Sequence, residues 1–258
     1  MTTEPTTGGD AGVTLETQRQ VMASSVDRLS ALVHSLTPQQ LRQQAYPAQW
    51  TVAQVLSHLG SGAVITRLRL DGDVDAQSVW DEWNAKDPDA QAADSLRADA
   101  ALQARLASIT PGEAFWLRFP MGPTDMDLTT FIGLRLNEHA VHTWDIAVTF
   151  DDSATIPSTE AELVIGTLAM MAGFAGKPTG AERTISVRTK GPERSFEIAL
   201  RSDGVALSPR PILEAPDLEL PGEALVRLVY GRLDPAHTPT IVGHASDLEE
   251  LRKAFPGI

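Results

Sequence analysis

The spacing of apolar residues in this chain changes near residue 180, and that change limits what it can fold into. Before it, apolar residues recur at the helical period: Val21, Val26, Leu29, Leu32 and Val33 mark a helix between Val13 and Leu36. After it, TISVRT (184–189) and SFEIAL (195–200) alternate like half-buried strands, joined by the turn residues of KGPER. Helices first and strands second predict an α+β fold in two domains. The boundary falls at 178–183, with a helical bundle over 13–178 and a smaller α+β domain over 183–258. The polar, Gly/Thr-rich segment 1–12 is expected to be a disordered tail, and it lacks the basic and apolar regions of a signal peptide.

Local signals fill in the elements. Thr37-Pro38-Gln39-Gln40 and Thr51-Val52-Ala53-Gln54 are capping boxes, the second opening a helix that runs to about Leu70 and ends at DGDVD (71–75). Leu96, Leu102, Leu106 and Ile109 mark another helix, closed by Thr110-Pro111-Gly112. FWLRFPMGPTDM (115–126) reads as a loop with room for a short extended piece, and a long helix follows from Asp127 to Phe150. Pro157 and the box Thr159-Glu160-Ala161-Glu162 start a helix that ends by Gly176. In the second half, Asp203-Gly204 turns into VALS (205–208), and LEL (218–220) is a fourth strand. Pro221-Gly222-Glu223 opens a helix ending at Gly231, TIVG (240–243) is a last strand, and Ser246-Asp247-Leu248-Glu249 caps the terminal helix.

Composition narrows the function. Acidic residues outnumber basic ones 34 to 21, for a formal charge of −13, and the arginines are scattered singly. Without a basic patch, nucleic acid and anionic membranes are not expected partners. No run approaches the roughly 18 apolar residues that span a bilayer. The chain has no cysteine, which removes disulfides, thiolate ligands and cysteine nucleophiles, and fits a cytoplasmic location.

The chemistry concentrates in LNEHAVHTWD (136–145). Glu138 and His142 stand four apart and share one helix face with Phe131, Leu134, Arg135 and Asp145. Burying several ionisable groups is costly unless they pair or ligate a cation. His58 lies in AQVLSHLGS among Val52, Val55, Leu56 and Leu59, so it points toward the bundle interior. Two imidazoles and a carboxylate from two helices make a His₂Glu set with an open position, better suited to catalysis than to pure structure. Asp145, one turn beyond His142, is placed to orient that ring from behind. The same spacing also fits a solvated Glu–His pair and a satisfied core histidine. His139, about 100° around the helix from Glu138, faces away. His34, His237 and His244 have no partner in sequence and read as exposed or capping, while Trp50 and Trp144 read as core anchors.

WTVAQVLSHLG (50–60), followed by RLNEHAVHTWDIA (135–147), resembles the mycothiol-dependent maleylpyruvate isomerase family. That family carries W-(S/T)-V-x-x-V-L-x-H-L and then E-x-x-x-H-x-W-D. The resemblance implies a DinB-like up-down four-helix bundle, followed by a small sterol-carrier-like domain with a mixed or antiparallel sheet. It implies that His58, Glu138 and His142 hold zinc or another divalent metal. The wider superfamily often uses three histidines, and the glutamate points to the mycothiol-using branch. Arg232, after EALVRLVYG (223–231), is similar to the arginine that the second domain of this family turns toward the cleft. A solvated arginine favoured by the helix end is the other reading of that position.

The chemistry so implied is activation of the mycothiol thiol by the metal for attack on a small electrophile. Its outcome is cis–trans isomerisation of a maleylpyruvate-like substrate, by addition, rotation and elimination, or S-transfer. A metal-dependent hydrolase on the same bundle and a non-enzymatic small-molecule-binding protein stay open as alternatives. The expected assembly is a monomer or a weak homodimer.

Overall fold

The computed structural model describes residues 14–46, 48–121 and 124–257; the segment 1–12, expected to be a tail, lies outside the described residues. Four long helices form the first half: α1 (Leu15–Ser35), α3 (Val52–Asp71), α5 (Pro88–Ser108) and α7 (Leu128–Val148). Between them run α2 (Pro38–Leu41), α4 (Ala76–Asn84), α6 (Pro111–Trp116) and a hairpin of β1 (Arg118–Met121) and β2 (Thr124–Asp127). Helix α1 packs on α5 and α7, and α3 packs on the same two, so α1 and α3 occupy opposite corners of the bundle.

Both capping boxes form as the sequence predicts. Thr37 and Gln40 satisfy each other's backbone at the start of α2, and Thr51 and Gln54 do so at α3. Three features depart from expectation. Helix α4, where the sequence reading placed no element, is anchored by Trp83, its one buried side chain, which packs against Gly60, with partly buried Val79 on the same core. A Cβ at Gly60 would lie 2.2 Å from the Trp83 ring, so only glycine admits that contact. The stretch 115–126, read as a loop, contains the end of α6 and most of the β1–β2 hairpin, because Thr110-Pro111-Gly112 ends α5 and at once caps α6. The helix expected from Pro157 is broken into α8 (Ser158–Val164), a 3-10 turn over Ile165–Thr167, and α9 (Leu168–Ala175). Pro157 itself is the cap residue of α8 and no side chain caps it, so the box proposed at Thr159 does not form.

The second half is a five-stranded mixed sheet. Its strands are β3 (Arg183–Lys190), β4 (Arg194–Arg201), β5 (Gly204–Arg210), β6 (Leu218–Pro221) and β7 (Val242–Gly243), in the order β5-β4-β3-β6-β7. Strands β3 and β6 are parallel and the other neighbours antiparallel. Ile185 pairs with Ile198 and Val187 with Phe196, which places apolar residues on one face. Helix α10 (Gly222–Val229) packs on β3 and β6, while α9 packs on β5. TIVG pairs only through Val242 and Gly243, and α11 (Ala245–Ala254) begins at His244 without a side-chain cap from Ser246.

One apolar core runs through both halves, joining Val141, Trp144 and Val148 of α7 to Leu225, Leu228 and Val229 of α10 and to the sheet. The change of architecture near 180 is therefore not a break in packing. Among the described residues, no helix is long and apolar enough to cross a membrane.

Candidate metal centre

Helices α3 and α7 are neighbours, and their facing sides carry the three residues singled out from sequence. Nε2 of His58 lies 3.0 Å from Oε2 of Glu138, and Nε2 of His142 lies 3.5 Å from the same oxygen. One ligand atom from each residue falls within 4.8 Å of the other two. Two imidazoles and a carboxylate converging at this range are the donors a first-row divalent cation such as zinc takes, so the residues fit the group that the resemblance implies. His142 is buried, whereas the side chains of His58 and Glu138 keep 34% and 40% of their surface open. Those two border a cleft of about 400 Å³, which Gln49, Trp50, Tyr230 and Arg232 also line.

Each of the three side chains is set by its surroundings. Burial opposes the charge on Glu138, but hydrogen bonds from His142 and His58 hold its carboxyl well below the usual range. Burial likewise opposes a cationic His142, yet its hydrogen bonds to Asp145 and Glu138 raise it to about 9. The Nδ1–H of His142 donates to Oδ2 of Asp145 at 2.8 Å, which turns Nε2 toward the cluster.

Asp145 is itself buried and accepts twice more. Arg232, just past α10, donates Nε to Oδ1 and Nη2 to Oδ2, each at 3.2 Å. The third branch of the guanidinium, Nη1, donates to the backbone oxygen of Tyr230 at 2.6 Å. Arg232 thus lines the cleft as the resemblance implies, but most of its donors are committed to protein. Burial, then the neighbouring Glu138 carboxylate, push the Tyr230 phenol up, so it stays protonated.

Trp50 is a residue that sequence reasoning assigned to the core. Backbone hydrogen bonds from Ala45 to Trp50 and from Val52 to Gln43 close a turn ahead of α3. The indole comes to rest 5.2 Å from the His58 ring and 5.9 Å from the His142 ring, between centroids. Trp50 precedes the Thr51 cap and lies outside α3, so no helical spacing relates it to His58. Trp144 is a core residue, as expected.

His139 does face away from the cluster, but into protein. Its Nδ1 lies 2.8 Å from Oγ of Ser25 and its Nε2 lies 3.3 Å from Oδ2 of Asp99, which also accepts from Arg135 at 3.1 Å. His34 is exposed and bonds the Ser30 carbonyl within its own helix, and His244 is exposed at the start of α11. His237, expected to lack a partner, pairs with Asp234 at 3.0 Å and sets its ring edge-on to Tyr46 and Trp144.

Residues 22–147 match the family model described as the mycothiol maleylpyruvate isomerase N-terminal domain. Two solved structures resemble the chain more widely. One is the crystal structure of the mycothiol-dependent maleylpyruvate isomerase, with a TM-score of 0.62 and 13% identity over 85% of this chain and 90% of that one. The other is a variant of that protein with one histidine replaced by alanine, with a TM-score of 0.62, 12% identity and the same coverage. Coverage this broad reaches past the bundle into the α+β half, and at this identity the likeness is one of fold. No curated protein sequence matches the chain.

Proposed function

Because the helical bundle of this chain belongs to the mycothiol maleylpyruvate isomerase N-terminal domain family, we propose that the protein is a divalent-metal-dependent enzyme acting on mycothiol and a small unsaturated carboxylate. The reaction is cis–trans isomerisation like that of maleylpyruvate, or transfer of the thiol to the acceptor. The observation that carries this reading is the convergence of His58, Glu138 and His142 on an open cleft, in a chain with no thiol of its own.

His58, Glu138 and His142 would hold a divalent cation, zinc in our reading, which would supply the Lewis acidity that favours an ionised thiol at neutral pH. Asp145 keeps the His142 proton on Nδ1 and so leaves Nε2 free to coordinate. Arg232 pairs with Asp145 and fixes the orientation of that carboxylate behind His142. Trp50 covers the two imidazoles and limits the water that reaches them. The double bond of the acceptor becomes a single bond while the thiol is attached, rotates, and re-forms when the thiol leaves. No net proton or electron is consumed. In S-transfer the thiol stays attached, and the acceptor carbon next to the new C–S bond takes up a proton.

The test is metal analysis of the purified protein beside its His142→Ala variant, followed by an assay with and without mycothiol. Stoichiometric metal that is lost in the variant, and turnover that needs the thiol, support the reading. Equal metal in both proteins rejects the site, and equal turnover without thiol rejects the thiol-dependent reading.

A further inference from the structure

His58 and Glu138 border a second cleft, of about 250 Å³, displaced along α3 and α7 away from Arg232. It shares only those two residues with the first cleft and differs from it in character. Ile65, Phe131 and Leu134 make an apolar wall, and Trp80 of α4 stands at it 42% exposed. Two arginines border this apolar space. Arg69 is exposed and, among the described residues, forms no ion pair. Arg135 is only 5% exposed; its Nη2 donates to the Leu59 carbonyl at 2.7 Å and to Asp99, but its Nε–H has no acceptor. Gly62 admits this guanidinium, since a Cβ there would lie 2.7 Å from Nη1.

A buried donor left without an acceptor, here the Arg135 Nε–H, is costly. Arg69 offers a charge, unpaired among the described residues, beside the same apolar wall, so a ligand with an acceptor group and an apolar body satisfies both. The ligand that does so has a hydrocarbon or aromatic body and one anionic end. The first cleft, lined by Gln49, Tyr230 and Arg232, suits a sugar-bearing thiol instead. The clefts meet at His58 and Glu138, so occupants of the two reach one point from different directions.

We propose that the second cleft is the acceptor site and that it takes a conjugated monocarboxylate with an apolar body, its carboxylate at the arginines and its double bond toward His58 and Glu138. The role of the cleft as acceptor site rests on the thiol-activation reading above, whereas its preference for an apolar monoanion rests on its own lining. Transfer of a thiol to such an acceptor forms one C–S bond, and the thiol's proton ends on the neighbouring carbon. Isomerisation breaks that bond again and returns the thiol.

The probe is cinnamate, titrated calorimetrically into the full-length, metal-loaded protein and into its Arg69→Gln variant, with maleate as a compact dianion for comparison. We expect saturable cinnamate binding, weaker maleate binding, and a cinnamate affinity lower by about tenfold in the variant. Arg69 is exposed, so the variant folds, and an unchanged melting temperature verifies it. Cinnamate affinity unchanged in the variant, no cinnamate binding to the wild type, or maleate bound more tightly than cinnamate overturns the assignment. Cinnamate binding with the expected pattern in a protein that shows no thiol-dependent turnover upholds the cleft's ligand preference and removes the thiol reading. Thiol-dependent turnover of cinnamate-type acceptors with the same KM in the variant does the reverse.

Discussion

Arg232 holds Asp145 by two parallel hydrogen bonds of 3.2 Å, and this contact ties the α+β half to the helix carrying two of the three candidate ligands. Lysine keeps the charge but not the planar fork. We therefore expect Arg232→Lys to weaken metal binding by about 10- to 100-fold, the range seen when support behind a metal-binding histidine is lost. Arg232→Ala leaves buried Asp145 with His142 as its remaining charged partner, and we expect a loss of about 1–3 kcal/mol. Competition with a chromogenic chelator measures the first effect and urea denaturation the second; wild-type metal affinity in the lysine variant contradicts this role.

The proton on His142 competes with the metal. In the cation-free protein its pKa rises from 6.5 to about 9, so it stabilises the fold fully below 6.5, and that contribution is lost as pH climbs through 9. A cation needs the deprotonated ring. Metal uptake at pH 7 should therefore release about one proton from His142, and affinity should rise with pH until it levels near 9. Calorimetry in buffers of different ionisation enthalpy counts the proton; none released at pH 7 refutes the coupling.

Asp99 anchors the buried network on the opposite side of α7. Burial alone would raise its pKa, but His139 and then Arg135 bring it below 3.8. Its stabilisation is thus complete above its unfolded value, near 4, and is lost as pH falls through the lower folded value. Asp99→Asn removes the charge that Arg135 and His139 face, and we expect a loss of about 3–5 kcal/mol at pH 7 with a flatter decline below pH 4. Urea titrations across pH 3 to 7 measure both; parallel acid curves would assign the decline to other carboxyls.

Gly60→Ala drives a methyl into the Trp83 ring. Overpacking at a buried contact costs about 1–3 kcal/mol, and here it pushes α4 off α3. Because Trp80 belongs to α4 and lines the second cleft, the same substitution should weaken cinnamate binding while leaving the metal content intact. A shifted melting temperature with unchanged cinnamate affinity separates α4 packing from the cleft.

What the sequence made legible follows the range of each interaction. The capped helices α2 and α3 and the alternating strands β3 and β4 carry their signals within a few residues, and they lie where expected. Helix α4 rests on Trp83 meeting a glycine two turns into another helix, which no local pattern shows. His139 could be read as turning away from Glu138, but its partners Ser25 and Asp99 come from α1 and α5, so its burial could not be read. The convergence of His58, Glu138 and His142 was legible because Glu138 and His142 are helical neighbours and His58 sits in an apolar stripe. Trp50 enters the site through a turn, and the second cleft is assembled from α3, α4 and α7; both are products of tertiary folding.

The shared core and the Arg232–Asp145 contact also bear on synthesis. A chain emerging from the ribosome contains all three candidate ligands once α7 is made, yet the guanidinium that steadies Asp145 arrives almost ninety residues later. Until then the α7 face bearing Val141, Trp144 and Val148 has no cover from α10. The bundle therefore gains the contact behind His142 only when the C-terminal half docks on α7. The order of synthesis thus separates the residues that form the candidate site from the residue that steadies it.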